Sequence, residues 1–166
     1  MNDSIFPYEC VLETAGYKVT FYFLNFTHDD LLNEDIVSTT IEMHVESARS
    51  DYQLSLVKVS ISIDTLKNID NYLRAHIHNV HDDPTSVGPV LVNPGLDFQL
   101  QGLPGEVWEE NGKFGGGCAL RVTLDAGEGS DGTNVYLGAE AQLSLQQVRA
   151  FLARLKEFLD AVAINE

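Results

Sequence analysis

Gly16-Tyr17-Lys18-Val19-Thr20-Phe21 is echoed by Gly95-Leu96-Asp97-Phe98-Gln99-Leu100, 79 positions later (95 minus 16). Apolar and polar residues alternate in both, the period-two pattern of a strand with one buried face. Working outward, the same spacing aligns Ile41, Met43 and Val45 with Leu120, Val122 and Leu124. It also aligns Leu66, Ile69, Tyr72 and Leu73 with Leu145, Val148, Phe151 and Leu152. A register shared by strand-type and helix-type apolar positions predicts a duplicated architecture.

The order of elements follows from local pattern. Thr39-Thr40-Ile41-Glu42-Met43-His44-Val45-Glu46 alternates strictly, and residues 119–125 do the same. Turn-rich segments 47–51 and 126–133 lead to further alternating runs at 54–63 and 135–143, so each pair reads as a β-hairpin. Parity slips between Leu56 and Val57, which predicts a bulge. Residues 19–23 and 98–100 read as second strands, and 8–12 and 89–92 as first strands. Helical spacing follows in each half, with Thr65 and Ser144 as expected N-caps and the second helix, 146–163, the longer. The unit is ββββα, twice, joined by the polar segment 78–88. Two helices cannot cover themselves, and two meanders each need one face buried. The expectation is therefore an α+β single domain over residues 1–166, with two antiparallel sheets, two helices and pseudo-twofold symmetry. Its repeats span roughly residues 5–80 and 87–163.

Charge narrows the functional classes. Ten basic against 25 acidic residues give a net charge of -15. Residues 1–84 carry five basic and fourteen acidic side chains and the remainder five and eleven, so both halves repel a phosphate backbone. Such a balance by itself serves solubility. Two cysteines, Cys10 and Cys118, fall opposite Pro89 and Thr39 in the repeat, which suggests buried reduced thiols in a cytoplasmic protein rather than a disulfide framework. No leader pattern or membrane-spanning run is read from the sequence.

Motifs of chemistry are weak. Gly127-Glu128-Gly129-Ser130-Asp131-Gly132 matches G-x-G-x-x-G, but a strand follows where the dinucleotide motif needs a helix. Turn glycines are the better account. His76, His78 and His81, next to Asp82 and Asp83, raise a metal site; residues two apart on a helix diverge, so capping of the helix C-terminus is favoured instead. No nucleophile elbow, H-E-x-x-H or Cys-x-x-Cys is present. The expectation is a non-enzyme with no cofactor and no metal.

The segments between the second and third strands carry the functional bet. Thr27-His28-Asp29-Asp30-Leu31-Leu32-Asn33-Glu34-Asp35 corresponds to Pro104-Gly105-Glu106-Val107-Trp108-Glu109-Glu110-Asn111. Both are read as loops that set bulky apolar residues inside an acidic cluster. Either Leu31, Leu32, Val107 and Trp108 pin the loops to the core, or the loops form a protein-binding surface. On the second reading Asp29, Asp30, Glu34, Asp35, Glu106, Glu109 and Glu110 steer a basic partner, and Trp108 is the hot spot.

The strand Ala119-Leu120-Arg121-Val122-Thr123-Leu124, a glycine-rich turn, a second strand and the helix beginning Leu143-Ser144-Leu145 resemble bacterial immunity proteins of polymorphic or contact-dependent growth-inhibition toxins. The duplicated ββββα order resembles the Whirly and PUR single-stranded nucleic-acid-binding folds. The first resemblance implies a heterodimer with a basic toxin domain, such as a nuclease, whose cationic cleft is occluded. The second implies a fold; Lys18, Arg49, Lys58 and Arg121 are too scattered for the nucleic-acid face those families present. An interaction or scaffold domain, including a homodimer through an exposed sheet edge, is the main alternative, with a single-stranded nucleic-acid binder behind it and a pocket enzyme last.

Overall fold

The computed structural model describes residues 6–31, 33–46 and 51–163. The first half comprises β1 (Tyr8–Glu13), β2 (Tyr17–Asp29), β3 (Glu34–Glu46), β4 (Asp51–Ser62) and α1 (Ile63–Asp82). The second comprises β5 (Val90–Val92), β6 (Phe98–Glu110), β7 (Lys113–Glu128), β8 (Asn134–Ser144) and α2 (Leu145–Ala163). Each half is an antiparallel meander in chain order, followed directly by its helix. The fold is α+β with a duplicated ββββα unit, as the alternation predicts.

Each helix crosses to the other half. α1 packs on β6 and α2 packs on β1, a reciprocal exchange that makes the pseudo-twofold relation and ties the halves together. The inner faces of the two sheets also meet. The buried Tyr17 hydroxyl donates to the Leu120 carbonyl at 2.9 Å, and Phe21 meets Phe98 edge-on at 5.8 Å. One continuous core results, drawing on β1, β2, β3, β4 and α1 as much as on β6, β7 and α2.

Strand pairing corrects the spacing of the repeat. Phe21 pairs with Ile41, and Leu100 pairs with Val122. With Phe21 equivalent to Leu100, the counterpart of Ile41 is Val122, 81 positions on (122 minus 41), not Leu120. The second hairpin is longer at its tip: four residues lie between paired Asp29 and Glu34, and six between paired Trp108 and Gly115. By the helices the spacing is 82 (144 minus 62), as the cap positions Ser62 and Ser144 show. Ile63, Leu66, Ile69, Leu73, His76 and Val80 then coincide with Leu145, Val148, Phe151, Leu155, Phe158 and Val162, all buried.

The bulge expected near Leu56 is present. Thr39 pairs with Val59 but Ile41 with Leu56, so three steps of β4 oppose two of β3. At the start of α1 the cap is Ser62 rather than Thr65: the Ser62 hydroxyl accepts from the Thr65 amide at 3.1 Å, placing Thr65 inside the first turn. Ser144 does cap α2, in a reciprocal box. Its hydroxyl accepts from the Gln147 amide at 3.3 Å while the Gln147 side chain accepts from the Ser144 amide at 2.9 Å.

His76 does not cap a helix end. It lies inside α1, 2% exposed, and its Nε2 donates to the Leu103 carbonyl at 3.0 Å, while Nδ1 has no partner. The reason is the repeat. Phe158 of α2 packs on Phe23 of β2 at 4.3 Å between ring centroids, and the related pair is His76 of α1 on Gly102 of β6. His78 faces solvent and His81 lies in the last turn. Among the described residues no group of three metal-ligating side chains assembles.

Candidate functional site

The two acidic segments are hairpin tips, not loops. β2 runs to Asp29 and β3 begins at Glu34, while β6 runs to Glu110 and β7 begins at Lys113. In the second hairpin, Asn111 and Gly112 both take positive φ, 52° and 73°, as a two-residue turn with the strands' own twist demands. Pairing therefore continues to Glu110 opposite Lys113. Pro104 is accommodated because the register shifts between Gly102 and Gly105, where a missing N–H costs no ladder bond. The Asn-Gly pair was the signal in the sequence for this turn; the surrounding acidic residues and proline masked it.

Alternation along β6 sorts the candidate residues. Val107 turns inward, 6% exposed, into a small cluster with Val80, Cys118 and Leu145, which pins the hairpin to both helices. Glu106, Trp108 and Glu110 share the opposite face, and Glu109 lies on the side of Val107. Trp108 is 50% exposed. Its indole lies over Gly115, its direct cross-strand partner, where a Cβ would come within 2.7 Å of Nε1. Glycine there seats the ring flat, and the ring shields backbone that no side chain covers. One broad apolar surface thus stands between two carboxylates at the free end of a ribbon.

In the first hairpin the carboxylates divide between two faces. Asp29 and Glu34 are direct cross-strand partners on one face, and Asp35 pairs with His28 on the other. His28 Nδ1 lies 2.8 Å from Asp35 and Nε2 lies 3.9 Å from Asp30. Hydrogen bonding to Asp35 is the largest influence on His28 and raises its pKa, with Asp30 and Asp29 adding to the effect. Asp29 also accepts from the Leu31 amide at 2.9 Å, which fixes the turn. Leu31 is 96% exposed and so does not pin this tip; Leu32 lies outside the described residues.

Elsewhere several of the cations are committed. Arg74 pairs with Asp70 at 2.8 Å, Arg121 with Glu140 at 2.8 Å, Arg154 with Glu157 at 2.7 Å and Lys156 with Asp160 at 2.6 Å. Arg49 and the side chain of Lys58 lie outside the described residues. Both thiols are free and buried, and burial pushes Cys10 up to about 12 and raises Cys118 as well, the reverse of what a nucleophile needs. No helix among the described residues is long and apolar enough to cross a membrane. No protein-family model, curated protein or solved structure matches the chain.

Proposed function

We propose that this chain is a non-enzymatic, cytoplasmic immunity protein that binds a basic toxin domain, such as a nuclease, and occludes its cationic cleft. The observation that carries the reading is the second hairpin tip, where a half-exposed Trp108 stands between Glu106 and Glu110 on one face. A rigid indole supplies contact area at little entropic cost, and flanking carboxylates pair with Lys and Arg that otherwise hold substrate phosphate. Asp29, Asp30, Glu34 and Asp35 present a second acidic ribbon end, with Glu109 on the reverse of the first. The net charge of -15 accelerates encounter with a cation, an effect that salt screens. Ion-paired Arg74, Arg121, Arg154 and Lys156 favour a protein partner over nucleic acid.

The test is co-expression with the product of the neighbouring upstream gene, reading co-purification and rescue of growth. A one-to-one complex that restores growth is expected. Trp108→Ala should weaken it by about 2 kcal/mol or more, as truncation of a hot spot does. Joint Gln or Asn replacement of the seven carboxylates should lower affinity and flatten its salt dependence. No complex and no rescue would return the chain to the class of interaction or scaffold domains.

A further inference from the structure

Strand β1 borders a groove of about 500 Å³ between itself and α2, lined by Glu9, Val11, Glu13, Gln147, Ala150 and Arg154. Among the described strands β1 pairs with β2 alone, so no described strand covers its outer edge. What that edge presents follows from the phase of the ladder. The Thr14 amide donates to the Tyr17 carbonyl at 2.8 Å, closing the hairpin with an inward-facing pair. Counting back by twos, Leu12, Cys10 and Tyr8 direct their N–H and C=O groups toward Val19, Phe21 and Phe23. Glu9, Val11 and Glu13 direct theirs out of the sheet. Arg154 reaches the Glu9 carbonyl from outside at 3.4 Å, as that phase requires.

The three outward residues also share one side-chain face, in the order acidic, apolar, acidic. We propose that this edge takes up an extended segment of a basic protein as an added strand, with Lys or Arg opposite Glu9 and Glu13 and an apolar residue against Val11. Main-chain bonds to the Glu9 amide and to the outward groups of Val11 and Glu13 supply affinity, and the alternating side chains supply selectivity. Arg154 does not cancel the acidity. It is held 4.5 Å over the Tyr8 ring and 2.7 Å from Glu157, so it forms no ion pair with either strand carboxylate; Lys18, opposite Glu13 across the β1–β2 ladder, shares that face. A second copy of this chain is a poor occupant, because antiparallel pairing about Val11 sets Glu9 of each copy against Glu13 of the other. The inference rests on the reading that the partner is a basic protein, and it adds a second contact to the hairpins.

The test titrates the full ¹⁵N-labelled chain with the peptide acetyl-Thr-Lys-Thr-Val-Thr-Lys-Thr-amide, whose Lys-x-Val-x-Lys pattern reads alike in both directions. Amide shifts should centre on Glu9, Val11, Glu13 and the facing turns of α2. Replacing both peptide lysines by Glu should weaken binding roughly tenfold, as reversal of two cross-strand charge pairs implies. Val11→Pro removes an N–H that points out of the sheet, so it should spare the β1–β2 ladder and abolish binding. Should that variant unfold, the joint Glu9→Lys and Glu13→Lys variant decides, by reversing the preference between the two peptides. Shifts elsewhere, no shifts at millimolar peptide, or equal binding of the acidic peptide would overturn the proposal. A chain that captures its cognate toxin while β1 stays silent would overturn strand addition alone. Peptide binding at β1 with no cognate partner would overturn the inhibitor reading and leave the strand site standing.

Discussion

At Gly102 there is room for a hydrogen and nothing larger, because the imidazole of His76 occupies the place a Cβ would take. Gly102→Ala should cost about 1–3 kcal/mol, the usual range for forcing an atom into a packed core. Urea unfolding would measure it, and His76→Ala in the same chain should recover part of the loss if the overlap is the cause. A second residue-scale consequence concerns His28. Its pKa is raised in the folded chain by Asp35, so its interaction contributes stability fully below the unfolded value of about 6.5 and loses it as pH rises through the higher folded value. An NMR titration of His28 should therefore have its midpoint above about 6.5 and move down in Asp35→Asn. Above that midpoint the tip is more negative, and capture of a basic partner through it should strengthen. Neither Gly102 nor His28 could be assigned these roles from the sequence, since each depends on a residue brought across a hairpin or from the other half.

At the scale of elements, both helices start without a connecting loop, so their caps also terminate strands β4 and β8. Ser62→Ala and Ser144→Ala should each cost about 0.5–2 kcal/mol, as loss of an N-cap acceptor does, and thermal unfolding of the two variants would check it. Thr65→Ala should leave the Ser62 cap intact, because the bond uses the Thr65 amide. The strands were legible because alternation survives small errors of alignment. A shift of two residues keeps every side chain on its face, which is why Ile41 could be matched to Leu120 instead of Val122 without disturbing the predicted pattern. A shift of three is close to one helical turn, so the apolar stripe of α1 also matched α2 in the wrong register. The hairpin tips are hard to read for a different reason: their strand ends are mostly polar, and in the second tip Val107 is a single buried position among Glu106, Trp108, Glu109 and Glu110, too little alternation to mark a strand.

For the whole molecule, the exchange of helices makes each half incomplete by itself. α2 presents Phe151 to Phe21 and Phe158 to Phe23, so residues 87–163 alone would expose the apolar face of that helix. Residues 6–86 and 87–163 expressed separately should show no cooperative unfolding transition, while the full chain shows one. Two transitions in the full chain would contradict a shared core. Trp108 and Val107 show the same dependence on tertiary context within two adjacent positions: Val107 is clamped between α1 and the start of α2, and Trp108 is left half in water.

By itself the sequence determined the α+β class, the ββββα order in duplicate, the inward residues Ile41, Met43, Leu120, Val122 and Leu124 of the third strands, the Ser144 cap and the acidic field, because periodicity, capping and charge are local or additive properties. The exchange of helices, the true register of the repeat, the burial of His76 and the exposure of Trp108 were decided only by tertiary structure. Each depends on which surfaces meet across the pseudo-twofold relation, and period-two and period-3.6 patterns permit several such meetings equally well.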